Sequence, residues 1–133
     1  MPDHDAAMLA FVKLAGISQD RRQLGPRDKF LVLAAAAACR GGWLAVAERC
    51  RELVLAHNAV HLLHRFPSFV EACKAPAFEP YLRQTERFCS YEKAEYLLAQ
   101  QAITPDLPRI TARLSPGDYA LLLLGRSEKR RGP

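Results

Sequence analysis

Residues Phe30 to His57 read FLVLAAAAACRGGWLAVAERCRELVLAH, and this stretch decides the fold class. Ala34 to Ala38 form the smallest side-chain surface a helix can offer, so another helix backbone can approach closely. Alanine is also the strongest helix former and gives up no rotamer entropy on burial. Gly41-Gly42 ends the first helix, since glycine adopts the left-handed conformation of a helix C-terminus without a Cβ penalty. Trp43, Val46, Ala47, Cys50, Leu53 and Val54 then fall on one stripe at helical spacing, with Glu48, Arg49, Arg51 and Glu52 around it as surface neighbours. The reading is a helical hairpin, with Asn58 stopping its second arm.

Outward from the hairpin the pattern stays helical. Met8, Phe11, Val12 and Ala15 predict a short helix over residues 5–16, ended by Gly16. Pro26 is expected to open the first arm of the hairpin, where a missing N–H costs nothing. Ser68 and Glu71 form a capping box before a short apolar piece. Phe78, Tyr81, Leu82, Thr85 and Phe88 define one face of a helix over 77–88, and Ser90 caps another whose inner face is Tyr91, Ala94, Leu97, Leu98 and Gln101. Ile110, Ala112 and Leu114 alternate like a short strand with nothing to pair with. Ser115-Pro116-Gly117-Asp118 then caps one or two turns. The expectation is an all-α, single-domain bundle of five to seven helices built from two helical hairpins, 26–57 and the pair 77–89 with 91–102. The helical domain covers 1–104, and 105–133 is a C-terminal extension, partly docked or disordered.

The chain has 133 residues, enough for one domain with a real core. Its net charge of +5 is uneven, because Arg126 to Pro133 alone carries +3. Basicity in a tail is weak evidence for nucleic-acid binding by the fold. The four cysteines have no C-x-x-C spacing, the N-terminus is acidic where a signal peptide is basic, and the longest apolar run is about half of the roughly 20 residues a membrane span needs. These features predict a cytoplasmic chain with reduced thiols and no membrane contact.

The candidate chemistry is sparse. His57, His61 and His64 would line one face if the helix continued past Asn58, and three imidazoles on one face are a candidate Zn²⁺ site. There is no H-E-x-x-H, no glycine-rich phosphate loop after a strand and no local nucleophile signature. No cofactor is expected. Arg21, Arg22, Arg27 and Lys29 make a modest basic zone that a nucleic-acid-associated protein would use on phosphates. Four consecutive leucines, Leu121 to Leu124, follow Tyr119 and cannot all face water comfortably, so with the outward Tyr96 they are candidates for a protein partner or self-association. Ala35 and Ala47 can be placed at the small-residue positions of a tetratricopeptide helix pair, but Ala38 and Arg51 stand where large aromatics are usual and there is no 34-residue period, so no family is assigned. The leading functional expectation is a non-catalytic helical interaction or scaffold module, ahead of a nucleic-acid-associated protein and a small metal-dependent enzyme using the three histidines.

Overall fold

The computed structural model describes residues 3–101 and 114–129. The described residues form an all-α bundle: α1 (His4–Asp20), α2 (Leu24–Gly41), α3 (Leu44–His57), a 3-10 turn (Leu62–Arg65), α4 (Phe69–Lys74), α5 (Glu79–Phe88), α6 (Tyr91–Gln100) and α7 (Pro116–Lys129). Ile110, Ala112 and the basic residues Arg130 and Arg131 lie outside the described residues. Among those described, no helix is long and apolar enough to cross a membrane.

The hairpin forms as its sequence implies. Gly42 sits at φ 86° in the left-handed region, and two hydrogen bonds close the end of α2: Trp43 N–H donates to the Ala38 carbonyl and Gly42 N–H to that of Cys39. The chain therefore reverses with the last carbonyls satisfied, and α3 folds back along α2. Phe30 to Ala38 are buried without interruption, so α2 is covered all round and is the central helix.

Its closest partner is α1, which is longer than the sequence pattern predicts. The Asp3 carboxylate caps the start by accepting from Asp5 N–H and Ala6 N–H. Gly16 does not end α1; a side chain there would meet open space and the helix runs on to Asp20. The left-handed residue that terminates it is Arg22, at φ 59°, with Gln23 N–H donating to the Ser18 carbonyl. Burial of Ser18 explains the extension, because the last turn of α1 still has a face to cover.

The later helices dock around this three-helix centre. α5 rests on α2, whereas α6 rests on α1, so the second expected pair divides its packing between two helices. Ser68 caps α4, Ser90 caps α6 and the Ser115 hydroxyl accepts from Asp118 N–H in the first turn of α7. Helix α7, part of the expected C-terminal extension, packs on α1 and α3. It presents Gly117, Ala120 and Leu124, an interval of three to four residues that puts them on one face. Gly117 lies flat against the Trp43 ring, close enough that a Cβ would overlap it. Trp43 in turn donates its indole N–H to the Asp5 carboxylate, so α1, the α2–α3 turn and α7 meet at one side chain.

Candidate functional site

The chemistry-bearing side chains gather where the first turns of α2 meet the end of α3 and the segment that follows. Asp28 is buried and accepts from His57 Nδ1 at 2.6 Å. Arg27 is 2% exposed and stands 3.3 Å from the other Asp28 oxygen. Its guanidinium also donates to Gln19 at 2.6 Å and to the Leu53 carbonyl at 2.8 Å. These bonds tie α1, α2 and α3 together, and a buried arginine held on three sides is the arrangement that desolvation demands. Arg27 is therefore withdrawn from the expected basic zone and cannot reach a phosphate.

The rest of that zone is divided as well. Lys29 lies 4.7 Å over the Phe88 ring, and Arg21 donates to Gln101 at 3.1 Å. Arg22 is exposed in the left-handed turn. Of the four cations, Arg27 is buried and Arg21, Arg22 and Lys29 are exposed.

The three histidines do not assemble as one face. α3 stops at His57 and Asn58 is extended, so the spacing that would align them is lost. His57 is fixed on Asp28. His61 caps the 3-10 turn, its Nδ1 accepting from Leu63 N–H at 3.1 Å while Nε2 lies 2.9 Å from the Tyr81 hydroxyl. Because Nδ1 is an acceptor, the ring proton sits on Nε2 and donates to Tyr81, and neither nitrogen of His61 keeps a lone pair for a metal. Burial lowers the His61 pKa, with the Asp28 charge acting weakly the other way, and burial raises that of Tyr81. His64 is exposed on the 3-10 turn. Among the described residues no three His, Cys, Asp or Glu side chains form a metal-binding group.

Glu48 and Arg51, expected as solvated neighbours on α3, clasp the segment that follows the helix. The Glu48 carboxylate accepts from Phe69 N–H at the start of α4, and Arg51 donates to the Phe66 carbonyl at 2.7 Å. The two side chains pair with each other at 3.5 Å. The segment is held from beneath by Phe66, Phe69 and Phe78, whose rings meet edge to face. Phe69 and Phe78 are fully buried, and Phe66 packs against the core beside them.

The side chains left facing water are of another kind. Tyr119 and Leu124 are buried against the body of the protein, and Lys13 sits 5.5 Å over the Tyr119 ring. Leu121 and Leu123 are half-buried, and Leu122 is 44% exposed. Leu44, next to the Trp43 that receives α7, is 50% exposed, and Tyr96 is 63% exposed on α6. That α3 lies against α7 is not legible in the sequence, because Trp43 and Gly117 are far apart along the chain.

The chain matches no protein-family model, no curated protein and no solved structure.

Proposed function

We propose that the protein is a non-catalytic helical interaction module that pairs with a second copy of itself through the outer side of α7 and the start of α3. One observation carries this reading: Leu44 and Leu122, both large and about half exposed, stand on two helices that pack against each other. Docking of α7 through Gly117, Ala120 and Leu124 leaves Leu122 pointing away from the core, and a helix cannot hide four consecutive leucines on one face. A two-fold contact would cover these leucines with their copies and needs no other partner. The side chains with catalytic potential support the reading in a second way, since His57, His61 and Arg27 are engaged in bonds that fix the fold.

Light scattering across a concentration series tests it. The protein should rise from monomer toward dimer mass, and Leu44→Glu with Leu122→Glu should hold it at monomer mass with an unchanged melting temperature. A wild-type protein that stays monomeric at the highest concentration reached would overturn the self-association. A dimer that survives both charges would place the contact elsewhere.

A further inference from the structure

A cleft of about 280 Å³ lies where the last turns of α1 and the start of α2 face the ends of α5 and α6. Its floor is apolar: Leu14, Ile17, Phe30, Phe88 and Leu97 line it, and the Phe30 and Phe88 rings stand 5.4 Å apart, tilted. Its rim is polar and exposed, formed by Arg21, Gln23, Gln100 and Gln101. Among the described lining residues Arg21 alone carries a charge. We propose that this cleft binds a small fused-ring aromatic carboxylate, with the rings on the floor and the carboxylate at Arg21 and Ser18. None of the described lining residues comes from α3 or α7, so the site is separate from the self-association contact proposed above.

Size and charge select the ligand. A benzene ring fills an apolar cavity of about 150 Å³, so a cleft near twice that volume admits two fused rings. Phenylalanine walls suit a flat aromatic body, which they meet by edge or offset face. At the rim, Arg21 Nη2 donates to Gln101 at 3.1 Å, which holds the guanidinium in place. That group carries five donors in the planar fork that matches a carboxylate. Lys29, 4.7 Å over the Phe88 ring, adds a second cation beside the same wall. Gln23 and Pro26 bring the first turn of α2 to the rim, and the Gln23 side chain does not cap it, so the positive end of that helix is open there. The carbonyl ends of α1 and α6 reach the rim too, but the N–H groups of Arg21, Gln23 and Gln101 already bond to them.

Ser18 is the residue that points to an occupant. It is 5% exposed and lines the cleft, yet its hydroxyl has no hydrogen-bond partner among the described residues. Buried hydroxyls ordinarily have one, and a helical serine often takes it from the carbonyl four residues back. Ser18 and Arg21 are three positions apart at the end of α1, so their side chains lie on the same side of it. A carboxylate between them takes the Ser18 hydroxyl on one oxygen and the guanidinium on the other.

Titration calorimetry of the full chain with 2-naphthoate tests this, with 2-naphthalenemethanol as the neutral molecule of the same rings. The acid should bind saturably, one equivalent per chain, and more tightly than the alcohol. Arg21→Gln, at an exposed position, should weaken the acid several-fold and leave the alcohol unchanged. Ser18→Ala should weaken the acid as well. Leu97→Trp fills the cleft and should abolish binding of both, with helicity retained by circular dichroism. Leu44→Glu with Leu122→Glu should bind as the wild type does. The proposal fails if the wild type shows no saturable binding, or if Arg21→Gln binds the acid as tightly as the wild type. It fails equally if the Leu44 and Leu122 charges remove binding, which places the ligand on that patch. Affinity that falls as the protein concentration rises would assign the cleft to a second copy of the chain instead.

Discussion

Along α2, the Arg27 and Asp28 side chains are buried like Ala34 to Ala38, although Pro26 and Lys29 beside them are exposed. The alanine half reaches burial by being small: each residue brings little apolar area and loses no side-chain entropy, and the gain comes from letting α1 and α3 approach the backbone. The Arg27–Asp28 half reaches it by pairing, because a charge can leave water only when its partners replace the water. The first device specifies a separation between helices. The second specifies a register, because Gln19, Leu53 and His57 must each stand opposite one particular atom.

The largest expected effect comes from breaking the pairing. Asp28→Ala leaves Arg27 buried without its carboxylate and His57 without its acceptor, and it should cost about 3–5 kcal/mol in denaturant unfolding. Arg27→Met should cost a similar amount. If the two residues act as a unit, the double variant Arg27→Met with Asp28→Leu should be markedly less destabilised than the two single losses added together. Full additivity would mean that each side chain is held by its other partners and that the register argument is wrong.

The alanine half should fail by overpacking. Ala35 is fully enclosed, so Ala35→Leu must displace a neighbouring helix and should cost about 1–3 kcal/mol. Ala35→Gly tests the same position from the other side, at roughly 0.5–1 kcal/mol from backbone entropy alone. A tolerated leucine would show that the helices around α2 can separate, and would remove the distinction between the two halves.

The two halves were unequally legible in the sequence. The alanine run, the Gly41-Gly42 reversal and the serine caps at Ser68, Ser90 and Ser115 are local signals, each decided by residues a few positions apart. Asp28 and His57 are separated by a whole helix and a turn, and nothing in either neighbourhood marks the other. Arg27 reads as a surface cation for the same reason: Gln19 and the Leu53 carbonyl, which with Asp28 make its burial tolerable, are brought to it by other helices. Gly16 misled in the opposite sense, as a local stop signal overridden by a last turn of α1 that still had Ser18 to bury.

The smallest expected effect lies at the edge of the polar half, where the Asp28 charge reaches His61 and Tyr81. His61 has its pKa lowered in the folded protein from the ordinary 6.5, first because it is partly buried. A second proton would have to go on Nδ1, which accepts from Leu63 N–H, so protonation also breaks the cap of the 3-10 turn. The unfolded chain takes up that proton more readily than the folded one. The contribution of His61 is therefore fully present above the unfolded value and is lost as the pH falls below it. His61→Asn keeps a capping acceptor but cannot titrate, and it should flatten the decline in unfolding free energy between neutral and mildly acidic pH. An unchanged slope would assign the acid sensitivity to another group and would detach His61 from the polar half of α2.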